Sequence, residues 1–218
     1  MKSVAKKPGA GSAGQAPAEP QLSLMERRRQ SAMQEIADVA LELFARDGFE
    51  ATTVEAIAAR AGCSPRTFYR YFGSKEDVMF HDLPIEIAAM GRVLDAHLAE
   101  GMSEWAAVCT SLVSFIGRFD AGHIRTATRR MELWSNEPAL RARYQQYIAL
   151  AEQTVLDSLC RHRGTRREHD DLAQLIAVAT VGAYRTTVST HDRADRRLGE
   201  HLQESLDRLG AGLNPDAR

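Results

Sequence analysis

Cysteine is scarce, and the few present cannot build a framework. Cys63, Cys109 and Cys160 are odd in number, far apart and without a C-x-x-C pair. Neither a zinc ribbon nor a disulfide-stapled fold is expected, and a reducing cytoplasm is the natural setting. The seven histidines form no H-E-x-x-H motif and no His/Cys cluster, so no metal site is expected. Glycine-rich phosphate loops and nucleophile elbows are missing too, which argues against an enzyme and against a cofactor. Proline is rare beyond residue 20 and period-two alternation is hard to find, so the chain reads as all-α. The longest apolar run, Leu175 to Tyr184, is too short to span a bilayer. The N-terminus has no apolar segment of the signal-peptide kind, so no membrane partner is expected. A large charge of either sign is also lacking. The net charge is −1, so any affinity for nucleic acid must come from local patches.

What is present is an ordinary soluble composition, with 44% hydrophobic and 26% charged residues over 218 positions. That length allows one or two domains with a substantial core. The densest pattern lies at residues 52–77. Thr52 is placed to cap a helix, with Glu55 three residues on to close a capping box. Val54, Ile57, Ala58 and Ala61 then fall on one face. Gly62 suits a positive φ after the helix end. Ser64 can cap the next helix and Pro65 fits its first turn. That helix carries Arg66, Thr67, Tyr69, Arg70 and Tyr71, with Phe68 and Phe72 spaced to face inward together. Ser74 is placed to start a third helix, with Glu76 and Asp77 near its positive end.

This is the pattern of a helix–turn–helix, whose second helix enters the DNA major groove. From Arg60 to Lys75 there are four basic residues and no acidic ones. A solvated charged face would explain that charge, but not the caps and the small-residue turn.

The stretch from Gln34 to Val78 resembles the N-terminal domain of TetR-family transcriptional regulators. The pattern A-L-x-L-F-x-x-x-G-F is met by Ala40 to Phe49, T-T-V-x-x-I-A-x-x-A-G by Thr52 to Gly62, and S-x-x-T-x-Y-x-Y-F-x-S-K-E by Ser64 to Glu76. The resemblance implies that Thr67, Tyr69 and Tyr71 face an operator. It implies a small-molecule cavity in the following helices, whose filling moves the connecting helix. It also implies a homodimer joined by its last two helices. The residues add chemistry. Arg66 has the fork to read guanine O6 and N7, Thr67 a hydroxyl and a methyl, and the tyrosines hydroxyls for phosphate. Arg70 suits phosphate or the open surface. Lys75, at an expected helix start, suits phosphate. Thr53 and Thr52 are further phosphate candidates, although capping alone would explain Thr52. Ser64 and Pro65 complete the set.

Four segments are expected. Residues 1–24 form a disordered basic arm, 25–78 the DNA-binding domain, 79–212 a helical ligand-binding and dimerisation domain, and 213–218 a tail. The arm either adds phosphate contacts or only aids solubility. The first helix should run from about Arg29 to Arg46. Candidate pocket residues are Trp105, Phe115, Phe119, Met131, Trp134, Tyr144 and Tyr147, with core packing as the plainer alternative. Arg125, Arg129, Arg130, Arg141 and Arg143 form a basic cluster, either a solvated face or a site for an anionic effector such as an acyl-CoA. Leu175, Ala179, Gly182 and Ala183, then Leu198, Leu202 and Leu206, read as a dimer surface or as core within one chain. The resemblance implies a homodimeric repressor of a palindromic double-stranded operator, released by a small, mainly apolar ligand. A ligand-insensitive DNA binder and an activator are the alternatives.

Overall fold

The computed structural model describes residues 23–120, 137–190 and 197–212, with side chains for all but 118–120. Among these the chain forms α1 (Leu24–Asp47), α2 (Val54–Arg60), α3 (Pro65–Tyr71), a 3₁₀ turn (Asp77–Phe80), α4 (Leu83–Ala99), α5 (Glu104–Asp120), α6 (Pro138–Arg163), a second 3₁₀ turn (Arg167–His169), α7 (Asp171–Thr190) and α8 (Leu198–Gly210). No strand occurs among the described residues, so the all-α expectation holds. The expected arm up to residue 22, and Met131 and Trp134, lie outside the described residues, as does the Phe119 side chain.

α1 starts earlier than its apolar periodicity suggests. The Ser23 hydroxyl accepts from the Glu26 N–H at 3.2 Å, and the Ser23 N–H donates to Glu26 Oε2 at 2.9 Å. This capping box sets the first turn at Leu24, so Arg27, Arg28 and Arg29 ride on the helix. α1 ends at Gly48, whose φ of 89° favours glycine. The next cap is corrected by one residue. Thr53, not Thr52, caps α2 by accepting from the Ala56 N–H at 3.2 Å. Thr52 is buried instead, its hydroxyl donating to the Gly48 carbonyl at 2.8 Å. With Thr53 as the cap, Glu55 falls one position short of closing a box.

Ile36, Ala40, Leu43 and Phe44 of α1 pack with Val54, Ile57 and Ala58 of α2 and Phe68 of α3 into the core of a small head. The helix expected from Ser74 is delayed. Ser74 accepts from the Asp77 N–H at 3.3 Å, a single 3₁₀ turn follows, and α4 begins at Leu83 with Pro84 in its first turn. Pro84 therefore starts this helix and does not kink it.

Among the described residues, the five longer helices beyond the head form a ring. α4 packs on α5 and α6, α5 on α8, α8 on α7, and α7 back on α6. One corner is held by charge. Arg163, ending α6, donates to both carboxylate oxygens of Glu104 at the start of α5 and to Asp170 at 2.7 Å. Asp170 also takes the Thr165 hydroxyl at 2.6 Å and caps α7 through the Ala173 N–H at 2.9 Å.

The α8 leucines correct an expectation. Leu198, Leu202 and Leu206 are buried within their own chain, against α5 and α7, and are not a partner surface. A four-residue leucine stripe suits either use. The outer face of α8 is charged, with Glu200, Glu204, Asp207 and Arg208 exposed, and that leaves the stripe to the core.

Two outcomes are expected. Leu202→Ala should lower unfolding free energy by roughly 2–5 kcal/mol in urea, as for other buried leucines. Asp170→Ala should lower the urea midpoint at neutral pH by an amount that shrinks in acid. The hydrogen bond from the Thr165 hydroxyl leads in lowering the Asp170 pKa, and that from Arg163 leads for Glu104. Carboxylates with lowered pKa values stabilise fully above their ordinary values, 3.8 and 4.5. That contribution is lost as pH falls through the lower folded-state values. The variant and the parent should therefore begin to converge as pH falls below about 4 and meet only below the lowered folded-state pKa of Asp170.

Candidate nucleic-acid interface

The turn between α2 and α3 is closed by backbone. The Cys63 N–H donates to the Ala58 carbonyl at 2.9 Å, and Gly62 sits at φ 69°, as its position implied. Ser64 caps α3, its hydroxyl accepting from the Thr67 N–H at 3.1 Å and meeting the Thr67 hydroxyl at 3.0 Å. Pro65 fills the first turn. Phe68 is fully buried and Phe72 nearly so, their ring centroids 5.2 Å apart. These two rings fix the rotation of α3, because the opposite face must then point to solvent.

That opposite face holds the expected residues. Arg66 and Arg70 are exposed, Tyr69 is 55% exposed, and Thr67 and Tyr71 are half-buried. Arg70 donates to the Tyr71 hydroxyl at 3.3 Å, with its guanidinium carbon 5.0 Å from the ring centre. Ser64, Pro65 and Thr53 are exposed beside it. The face thus offers planar cations and aromatic hydroxyls, suited to base edges and phosphates.

Two residues of the expected set do other work. The Lys75 ammonium donates to the carbonyls of Phe49 at 2.9 Å, Thr52 at 3.3 Å and Glu50 at 3.4 Å. It also lies 4.4 Å from the Phe49 ring centre. Its three N–H groups are taken up by the loop joining α1 and α2, so Lys75 is a structural tie and not a free phosphate ligand. Thr52, buried and bonded to Gly48, offers no side chain to DNA. Conversely, the first turns of α1 bring Arg28 and Arg29 to a groove that Arg70 and Tyr71 also line. The signal for this was the S-x-x-E of Ser23 to Glu26, which straddles the expected boundary between arm and DNA-binding domain.

In the ring, the expected pocket residues that are described, Trp105, Phe115, Tyr144 and Tyr147, do not form one group. Phe115 meets the Tyr184 ring edge-on at 5.9 Å. Tyr144 and Tyr184 are near neighbours. Burial pushes the Tyr184 hydroxyl up to about 12 and Tyr144 well above its ordinary value. Beside them, a crevice lined by Glu86, Met90, Val93, Ser111, Ser114 and Phe115 has room for roughly one water molecule. Tyr147 stacks on Phe80 of the 3₁₀ turn at 5.2 Å. One α-helical turn away, Arg143 pairs with Asp77 at 2.5 Å. Trp105 is apart from all of these. It starts the same helix as Phe115 but lies ten residues, about 15 Å, along it, covering the end of α8 near Gly210.

On α7, Leu172, Leu175 and Val178 are 57%, 66% and 50% exposed. Ala179, Gly182 and Ala183 are half-buried, and no atom lies within 4 Å of where a Gly182 Cβ would be. Among the described residues, nothing covers this apolar stripe.

Residues 36–81 match the family model described as bacterial regulatory proteins, tetR family, and residues 102–214 match the one described as MftR C-terminal domain. The chain is 29% identical over 196 residues to MftR of Mycobacterium tuberculosis, named as a mycofactocin biosynthesis transcriptional regulator, covering 89% of this chain and 98% of that one. It is 28% identical over 205 residues to the HTH-type transcriptional regulator TcmR of Streptomyces glaucescens, covering 89% and 90%. Its fold is similar to that of FadR from Thermus thermophilus, solved with lauroyl-CoA, with a TM-score of 0.57, 20% identity and 85% and 97% of the two chains covered. FadR from Bacillus subtilis with stearoyl-CoA gives 0.55, 19%, 83% and 99%.

Lys75→Met should destabilise the protein by about 2 kcal/mol in urea unfolding, from the loss of charge-assisted hydrogen bonds to the loop. A loss near zero would show that these bonds do not hold the loop.

Proposed function

The chain belongs to the tetR family of bacterial regulatory proteins, and from that premise we propose that it is a homodimeric repressor of a palindromic operator, released by a small, mainly apolar ligand. That it is a DNA-binding transcriptional regulator and not an enzyme follows from its relatives. The observation that supports the DNA-binding part of this reading is the two-sided α3, with Phe68 locked into the core and Arg66, Tyr69 and Arg70 outward; repression follows family habit. Arg66 reads guanine, Thr67 contacts a thymine methyl or a phosphate, and Tyr69 and Tyr71 position the backbone. Thr53, Ser64, Pro65 and Arg70 flank them. The head spans residues 25–78 and the body 79–212.

The dimer rests on the bare α7 stripe of Leu172, Leu175, Val178 and Gly182. A two-fold axis there presents two heads to two half-sites. No helix among the described residues is long and apolar enough to cross a membrane, in keeping with work at DNA in the cytoplasm. Ligand release is supported by the FadR neighbours, solved with acyl-CoA. It is also supported by the aromatic interior of Phe115, Tyr144 and Tyr184 beside α4, which leads straight into the 3₁₀ turn under the head. An acyl chain is accordingly the first ligand to try.

The test is fluorescence polarisation against tiled duplexes from around the gene, with competitor DNA and at two salt concentrations, followed by lauroyl-CoA titration. One competitor-resistant tile, released by the acyl compound, supports the proposal. Uniform weak binding to every tile removes sequence specificity from it. Tight binding that no ligand relieves leaves a ligand-insensitive regulator.

Two substitutions sharpen this. Arg66→Ala should cost about 1–3 kcal/mol of discrimination at one guanine position while leaving the melting temperature unchanged. Leu175→Glu should give a monomer by sedimentation and lose operator affinity, with the helical signal retained.

A further inference from the structure

We infer that the groove between the first turns of α1 and the end of α3 is a second DNA contact, a clamp for backbone phosphates beside the major-groove contact made by α3. This rests on the DNA-binding reading and extends it to residues outside the helix–turn–helix.

The groove is lined by Ser23, Glu26, Arg28, Arg29, Arg70 and Tyr71, with Met25 at its edge. Three guanidinium groups therefore share one open cleft with one carboxylate. That carboxylate is already engaged. Glu26 accepts the Ser23 N–H at 2.9 Å, and its hydrogen bonds with Ser23 hold its pKa below the ordinary value. Arg28 and Arg29 are exposed, and neither has a carboxylate partner among the described residues. Tyr71 acts as a shelf, holding the Arg70 guanidinium against its ring and hydroxyl.

Such an arrangement suits phosphate oxygens, because planar guanidinium forks pair with them in two-point fashion. A polyanion is favoured over a single anion because the cations are spread across two helices. DNA is the polyanion indicated by position. Arg70 belongs both to this groove and to the exposed face of α3, so a duplex lying on Arg66 and Tyr69 continues towards Arg28 and Arg29. The capping box matters here because it makes residues 27–29 helical, which sets both arginines at fixed positions on α1. Phosphate contacts carry no base information, so the clamp adds affinity and register but not sequence preference.

The experiment uses the full chain, its operator duplex and an unrelated duplex, with dissociation constants measured from about 50 to 200 mM salt. Each phosphate contact contributes about 0.9 to the slope of log affinity against log salt. The double variant Arg28→Gln, Arg29→Gln should flatten that slope by about two and weaken both duplexes by a similar factor. Arg28→Lys, Arg29→Lys should restore most of the slope. An Arg66→Ala control should instead change the ratio between operator and unrelated duplex. If the parent binds with a steep slope and the glutamine variant keeps that slope at an unchanged melting temperature, the clamp is wrong and the α3 reading stands. If the glutamine variant weakens only the operator, Arg28 and Arg29 read bases, and the clamp is again wrong. Should the parent itself bind no duplex, the DNA-binding reading fails and takes the clamp with it.

Discussion

The head and the ring meet at one short segment, and its burial is the constraint on which the rest depends. Val78, Met79 and Phe80 are almost completely hidden from solvent. They pack under α1, and Phe80 stacks on Tyr147 of α6. Asp77 pairs with Arg143 one turn before Tyr147. His81 extends the seat, with Nδ1 3.0 Å from the Val78 carbonyl, Nε2 3.3 Å from Gln34 Oε1, and its ring edge-on to Phe72 at 6.1 Å. Three apolar side chains buried in consecutive positions cannot slide independently of what they touch, because packed interiors have no spare volume. The orientation of the DNA-reading face relative to the ring is thus set by the five residues from Asp77 to His81 and their neighbours.

Polar contacts elsewhere in the ring confine motion. Burial raises the pKa values of Tyr144 and Tyr184, so both hydroxyls stay neutral. Ser111, also buried, donates to the Ala107 carbonyl at 2.7 Å and lies 3.3 Å from His97 Nδ1. On the far side, Arg163 ties the starts of α5 and α7 to the end of α6. The ring is therefore pinned by charge at the end away from the head and by rings and one ion pair at the end near it. α4 spans the two, with Leu83, Ile87, Leu94 and Leu98 all buried, so a change in its packing reaches the 3₁₀ turn directly. This is the physical content of ligand control in the proposed repressor.

Much of the head was legible beforehand because its signals are local. Ser64, Pro65 and Gly62 each act within a few residues, and the Phe68–Phe72 spacing declares its inner face. The failures share one cause, which is that a side chain can satisfy the same chemistry in two ways. Thr52 and Thr53 are adjacent hydroxyls, and the fold chose Thr53 as the cap because Thr52 is turned to the Gly48 carbonyl. Lys75 was read from its charge, but its partners lie more than twenty residues earlier in the chain. Ser23 and Glu26 were legible and passed over, since the composition before them suggested a tail.

Local sequence alone determined the all-helical class, the helix–turn–helix and the direction in which α3 faces. Caps, turn residues and apolar periodicity are decided by neighbours within one or two helical turns. Only the tertiary structure decided that Leu198, Leu202 and Leu206 serve the chain's own core while Leu172, Leu175 and Val178 are left bare. It alone turned Lys75 inward, separated Trp105 from Phe115 and Tyr144, and set Arg28 and Arg29 beside Arg70. A leucine stripe or a basic residue carries no label for its partner. That choice is made by which other surfaces the packed helices bring within reach.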